Sequence, residues 1–298
     1  MTALPHRQDI FHAKLDHWTE RLASDGYAII PDLVDPEVIA AIDEDFSEPF
    51  SQTPFSKGGF FGSRTVRFGR ALVRSRHAAS LVQHELILGL ADRVLGPWCD
   101  SIQLNLTQGI AVHPGAQAQI PHRDQDMWRG VKGEVEYMVN VIWPFTRFTE
   151  ENGATLVWSG SHKADDQEIV SDAVRVAAEM EPGSALVFLG STLHGQGANR
   201  SNEVRRGFAV AYSLSWLKAY ENQFLAYPPE IARGFSPELA ALIGYRQLPH
   251  NLNNFEAQSP AVLLQDKVPD HFGAIDLFRP EQVAAIEHYL QAGKPRTV

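Results

Sequence analysis

Ser101-Ile102-Gln103-Leu104-Asn105-Leu106-Thr107 is where the period of the chain changes. Ile102, Leu104 and Leu106 alternate with Gln103, Asn105 and Thr107. Successive side chains of a strand point to opposite faces, so this alternation predicts a strand with one buried face. Four more candidate strands follow: Glu136 to Trp143, Ala154 to Trp158, Ala185 to Leu189, and Gly207 to Leu214. Turn-forming pieces such as Glu150-Glu151-Asn152-Gly153 and Glu181-Pro182-Gly183 separate them. Short strands in succession, without long helices between them, predict an antiparallel sandwich or barrel.

The flanks read differently. Leu15, Trp18 and Leu22 fall at helical spacing, and Asp25-Gly26 stops that run before a short strand, Tyr27 to Ile30. Asp35-Pro36 pairs an N-cap with proline at the first helical position, opening a helix with Val38, Ile39, Ile42 and Phe46 on its apolar face. A further helix is expected from Ala78 to Leu95, ended by Gly96-Pro97. Beyond Trp216 the chain returns to irregular and helical segments, including Ser236 to Ile243 and Pro280 to Leu290. No internal repeat or low-complexity linker interrupts it. The expectation is one domain over residues 1–298, with a helical part to about 100, a β core over about 101–216 and an extension over 217–298.

Composition narrows the function classes. Of 298 residues 44% are apolar and 21% charged, a globular balance. Lys and Arg number 26 against 36 Asp and Glu, a formal charge of −10, and no dense basic run offsets it. Nucleic-acid binding needs clustered cations and is not expected. Cys99 is the single cysteine, so neither an intramolecular disulfide nor a zinc-thiolate cluster is available. No run of about 18 uncharged apolar residues stands out as a membrane helix. Pro5-His6-Arg7-Gln8-Asp9 breaks up the start of the chain, and Pro295-Arg296-Thr297-Val298 matches no address signal. A soluble protein in a reducing, cytoplasmic setting is expected.

The chemistry concentrates in two places. His122-Arg123-Asp124 carries an imidazole and a carboxylate at i and i+2, which in extended backbone point to the same side and can converge on one ion. Alone, that triplet is a weak signal. Further on, the strand Ala185–Leu189 leads into His194-Gly195-Gln196-Gly197-Ala198-Asn199, and Arg205 follows at the start of the next expected strand. Two histidines and one carboxylate form the facial triad that leaves three positions on iron(II) for a chelating co-substrate and O2. An arginine is the complement of the distal carboxylate of 2-oxoglutarate, because its planar fork binds a carboxylate bidentately.

Three blocks in order, Gln119-Ile120-Pro121-His122-Arg123-Asp124-Gln125, Glu150 to Thr155 with Ser159-Gly160-Ser161-His162, and His194 to Arg206, resemble the non-haem iron(II)/2-oxoglutarate dioxygenases of the phytanoyl-CoA dioxygenase type. The resemblance covers roughly Tyr27 to Leu214. It implies His122, Asp124 and His194 as metal ligands. It also implies Arg205 and Thr155 on the C5 carboxylate of 2-oxoglutarate, and Gln119 as a polar contact to the co-substrate. The implied fold is mainly β with flanking helices, a double-stranded β-helix (jelly-roll, cupin-like) core with the metal at its open end. Gln125 to Trp128 and Glu136 to Val141 look like the branch that oxidises terpenoid and alkaloid scaffolds. Asp124 stands where halogenating relatives carry a small residue, which disfavours halogenation. The expected partner is a small, largely apolar organic substrate, with hydroxylation, desaturation or rearrangement as outcomes. Rival readings are an acyl-CoA 2-hydroxylase, a non-catalytic cupin-like binding protein and a zinc hydrolase on a His2Asp site.

Several residues carry two readings. His162 is expected to tie a loop rather than bind metal, and His113 lacks a carboxylate two residues on. Arg206 adjoins Arg205 and must point to the opposite face of the strand. Arg67 is either near the co-substrate or a surface residue. Met127, Trp128 and Tyr137 are candidates for the substrate pocket, and core packing is the default for the aromatics, Trp143 included. Tyr245 to Phe255 is either a lid over the site or part of a contact between two copies in a homodimer.

Overall fold

The polar residues interrupting the apolar strands mark a sheet with two different faces. The computed structural model describes residues 7–164 and 171–292. Its strands are β1 (Tyr27–Ile30), β2 (Thr65–Phe68), β3 (Ile102–Val112), β4 (Met138–Pro144), β5 (Thr155–Trp158), β6 (Arg175–Ala177), β7 (Ala185–Leu189), β8 (His194–Gln196) and β9 (Arg205–Leu214). Six form one antiparallel sheet in the order β1-β7-β4-β9-β3-β2, and three form a second in the order β6-β5-β8. This is a double-stranded β-helix core with helices outside it.

One face of the large sheet carries Val139, Val141 and Trp143 from β4 and Phe208, Val210 and Tyr212 from β9. These pack with Leu22, Ile42 and Leu90 of the helices Arg7–Asp25, Pro36–Asp45 and Glu85–Leu95 in the main core. The opposite face meets the small sheet: Leu186 and Phe188 of β7 pack against Val157 of β5 together with Phe148 and Met180. Alternation along each strand thus divides the chain into a dry outer core and an inner face from which a site can be built.

The helix expected over Ala78 to Leu95 is two helices, Ala78–Val82 and Glu85–Leu95. At the break the Val82 carbonyl accepts from the buried Tyr212 hydroxyl at 2.6 Å instead of continuing a helical ladder. A phenol with no exposed surface must find such an acceptor. By contrast, the Asp35 cap forms as the sequence dictates, its carboxylate accepting from the Glu37 amide at 3.0 Å.

The decisive strand also holds a correction. Ile102, Leu104 and Leu106 do not share a face, because the register of β3 against β9 slips between Leu104 and Leu106. The bulge leaves Asn105 buried, its side-chain oxygen accepting from the Tyr220 amide at 3.0 Å. Past it the parity reverses, so that Leu106, Gln108 and Ile110 line the inner cavity.

Candidate metal centre

His122 lies between β3 and β4, and His194 opens β8. Their backbones form a two-bond bridge, His122 N to His194 O at 2.9 Å and His194 N to His122 O at 3.0 Å. Residues so paired stand opposite one another, and the two rings come within 4.4 Å centroid to centroid. Each Nδ1 lies against a backbone carbonyl, Ile120 O at 2.9 Å for His122 and Thr192 O at 3.0 Å for His194. A carbonyl only accepts, so Nδ1 carries the proton and Nε2 presents its lone pair to the shared space, the tautomer a metal ligand needs.

Arg123 is extended at φ −113°, ψ 127°, which turns the side chains of His122 and Asp124 to one side. One Asp124 oxygen lies 3.5 Å from His122 Nε2 and the other 3.4 Å from His194 Nε2. All three donors fall within 4.8 Å of one another, a 2-His-1-carboxylate metal-binding site. Burial alone would raise the Asp124 carboxyl, but His194, His122 and Arg67 together outweigh it and hold the group below its usual value. Burial lowers His194, favouring the neutral imidazole that binds metal. His122 shifts upward, because its hydrogen bond and charge interaction with Asp124 overcome the burial that opposes them.

The ligand turn is fastened from behind. Arg123 donates through Nε to Ser191 O at 3.0 Å and through a terminal nitrogen to Ser161 O at 3.1 Å. Ser191 in turn donates its amide to Glu136 at 3.2 Å and its hydroxyl to the other carboxylate oxygen. Burial pushes the Glu136 carboxyl up from 4.5 to about 7 despite these donors. A carboxyl whose folded value is raised binds more protons folded than unfolded. Its contribution to stability is therefore full below the unfolded value near 4.5 and declines as pH rises towards about 7. Glu136→Gln keeps an acceptor and removes the titration. Thermal unfolding between pH 5 and 8 should show the wild type losing stability relative to this variant as pH rises, and parallel curves would refute the assignment.

From the metal donors a cavity of about 120 Å³ runs inward between the sheets. Gln119, Thr155 and Arg205 all line it, together with Gln108, Asn140 and Gln196. Thr155 on β5 stands directly opposite Gln196 on β8. That pairing requires close backbone approach, since a Cβ on Gly197 would fall 2.6 Å from the Ala154 carbonyl. Arg205 is 3% exposed and stacks over Phe148 at 4.3 Å. Its Nε has no hydrogen-bond partner, and no carboxylate among the described residues pairs with it. Burial, with a smaller push from Arg67, lowers it to about 9, still a cation at neutral pH. Arg206 points to the other face and pairs with Asp43, its Nε donating at 2.9 Å.

Arg67 resolves as a cavity residue, donating to Gln108 at 3.0 Å and Gln196 at 3.3 Å. Burial lowers it to about 10, against the pull of Tyr220 and Asp124. His162 sits with Ala23 O at 3.1 Å, and His113 packs on Phe55; neither joins the metal donors. None of the expected pocket aromatics lines the cavity, and of the pocket candidates only Met127 does. Tyr137 and Trp143 are buried in the outer core, and the Trp128 indole donates to Lys218 O at 3.0 Å. The aromatic lining comes instead from Phe60, Phe61, Phe188 and Tyr220, and none of Tyr245 to Phe255 takes part. The inward parity of Phe188 was readable from its strand. Phe60, Phe61 and Tyr220 sit on loops, where no period betrays a direction.

Fold and site together define an oxygenase of the non-haem iron(II)/2-oxoglutarate class, built on a double-stranded β-helix. The chain belongs to the phytanoyl-CoA dioxygenase (PhyH) family, whose model matches residues 22–207. It is 32% identical over 250 residues to the dioxygenase swnH1 of Metarhizium robertsii, covering 76% of this chain and 81% of that one. It is 34% identical over 214 residues to the dioxygenase FrzG of a Cladobotryum species, covering 66% and 69%. The α-ketoglutarate-dependent epimerase SnoN from nogalamycin biosynthesis shares the fold at a TM-score of 0.57 and 19% identity, over 68% of this chain and 84% of that one. No helix among the described residues is long and apolar enough to cross a membrane.

Proposed function

We propose that His122, Asp124 and His194 hold iron(II), that 2-oxoglutarate is the co-substrate and O2 the oxidant, and that a C–H bond of a small, largely apolar organic molecule is oxidised with release of succinate and CO2. The observation that carries this reading is Arg205. A buried guanidinium without an acidic partner is costly, and here it faces a cavity whose other end is a facial triad. A dicarboxylate that chelates the metal and extends inward would supply the missing anion. The donor set fits the metal: two imidazoles with their Nδ1 protons already engaged and a carboxylate suit iron(II) and leave positions open. Iron bound there would couple oxidative decarboxylation of the keto acid to C–H oxidation.

The chain's own groups do the positioning. Arg205 and the Thr155 hydroxyl receive the distal carboxylate, Gln119 offers a polar contact, and Arg67 adds positive charge beside Asp124. Phe60, Met127 and Tyr220 form an exposed apolar rim above the metal donors. Such a rim suits a polycyclic or terpenoid-like scaffold of the kind natural-product oxygenases act on. The whole chain acts as one catalytic domain on this reading, in the reducing cytoplasm that a lone, half-buried Cys99 suits. Succinate formation should be stimulated by polycyclic or terpenoid-like molecules in a screen and only weakly by long-chain acyl-CoA. Coupled turnover with acyl-CoA at equal or higher rate would transfer the protein to the acyl-CoA hydroxylases. Absence of any 2-oxoglutarate-dependent succinate would remove the oxygenase reading.

A further inference from the structure

Phe60 occupies a peculiar place for a phenylalanine. It is 45% exposed, yet its ring lies edge-on against the His122 imidazole with centroids 4.7 Å apart, and it lines the same cavity as the three metal donors. The loop that carries it, Gly58-Gly59-Phe60-Phe61-Gly62, is tied at its far end, where the buried Thr65 hydroxyl lies 2.6 Å from Phe61 O and 2.9 Å from Gly62 O, and is open on its near side. Gly58 and Gly62 adopt φ of +96° and +83°, and nothing lies within 4 Å of where a Cβ on Gly58 or Gly59 would stand. Besides the His122 imidazole the Phe60 ring meets Phe61, with centroids 5.5 Å apart, and the rest of it stays open at the mouth. The other ring against a ligand, Phe188 on His194, is 2% exposed and wedged between the sheets with Val157 and Leu186. Phe61 is turned to Arg67, with the guanidinium carbon 5.4 Å from its centroid. Arg205 marks the deep end of the cavity, so the mouth is the side from which an organic substrate must approach.

We infer that Phe60 is a modification site, an internal stand-in for the substrate whose ring the enzyme hydroxylates when no organic substrate is bound. The inference rests on the iron/2-oxoglutarate reading and adds which C–H bond is at risk. The reaction consumes one O2 and one 2-oxoglutarate. The C1 carboxylate leaves as CO2, one oxygen atom enters succinate, and the other replaces a ring hydrogen of Phe60 as a hydroxyl, the displaced proton staying on that hydroxyl. Oxidative decarboxylation supplies two of the four electrons O2 requires, and the C–H bond supplies the other two. A true substrate must displace the ring, which the glycines on either side allow, and so protects it.

Two measurements test this on the full chain. Protein loaded anaerobically with iron(II) and 2-oxoglutarate is exposed to isotopically labelled O2 without organic substrate, and the peptide containing Phe60 is sequenced by mass spectrometry. One labelled oxygen on Phe60, absent from the Asp124→Ala protein, is the expected result. Succinate without oxygen on Phe60, or with the label on Phe188, Met127 or Tyr220 instead, overturns the inference and leaves the oxygenase reading intact. No succinate at all sinks both. The second measurement needs no turnover: Phe60→Tyr loaded with iron(III) should show a visible phenolate-to-metal charge-transfer band that wild type lacks. If this variant binds iron as wild type does and stays colourless, the ring is not at the metal and the inference fails.

Discussion

Asp124→Ala is expected to abolish oxidation and to weaken iron(II) binding by at least about 100-fold. Losing only the hydrogen-bond partner of a metal ligand typically costs about 10–100-fold in affinity, so deleting the ligand must cost more. The carboxylate also does more than coordinate. Its two oxygens face His122 Nε2 at 3.5 Å and His194 Nε2 at 3.4 Å, and its charge also acts on the half-buried Arg67. With alanine there, the Arg67 guanidinium is left beside two neutral imidazoles without a countercharge, which opposes a dication directly. Anaerobic titration of iron(II), followed by the charge-transfer band that 2-oxoglutarate adds, measures the loss. Retained affinity together with turnover would mean that the metal sits elsewhere. The fold should survive, since the ligand turn is held by Arg123 on Ser191 and Ser161 rather than by Asp124.

What was legible in the sequence followed from local rules. Tyr27–Ile30 forms a strand with the bounds its flanking turn dictates, the Asp35 cap starts its helix, and His122 and Asp124 converge because one extended residue separates them. Strand parity puts Arg205 and Arg206 on opposite faces, and the choice of Arg205 for the cavity comes from spacing and the family resemblance rather than from parity. Illegible features depend on contacts distant in sequence. The bulge at Asn105 reverses the parity of β3 because Asn105 receives the Tyr220 amide, more than a hundred residues away. Strand β8 is three residues long and exists because β5 and the His122 bridge pair with it. Trp128 and Tyr137 are open between pocket and core in the sequence, with core packing the default, and both pack in the outer core. Their polar tips found Lys218 O and Val131 O, both acceptors that no periodicity announces.

Arg205→Ala is expected to raise the apparent 2-oxoglutarate constant at least roughly tenfold while leaving iron(II) binding largely intact. Truncating one partner of a buried, charge-assisted pair costs about 2–5 kcal/mol, much of it from stranding the other charge, here a carboxylate left at the deep end of the cavity. Arg205→Lys should restore little, because a point charge cannot reproduce the two-pronged contact and its shorter reach leaves the Phe148 face. Arg206→Ala is the internal control one residue away. Its guanidinium is bound to Asp43 on the outer face and is 40% exposed, so its loss should cost about 1 kcal/mol or less of stability and hardly move the 2-oxoglutarate constant. The two constants, measured by succinate release at saturating iron, decide the register of β9. If Arg206→Ala carried the large effect and Arg205→Ala the small one, the strand would present its other face to the cavity. Val112, opposite Arg205, would then have to leave the inner cluster it shares with Ile110.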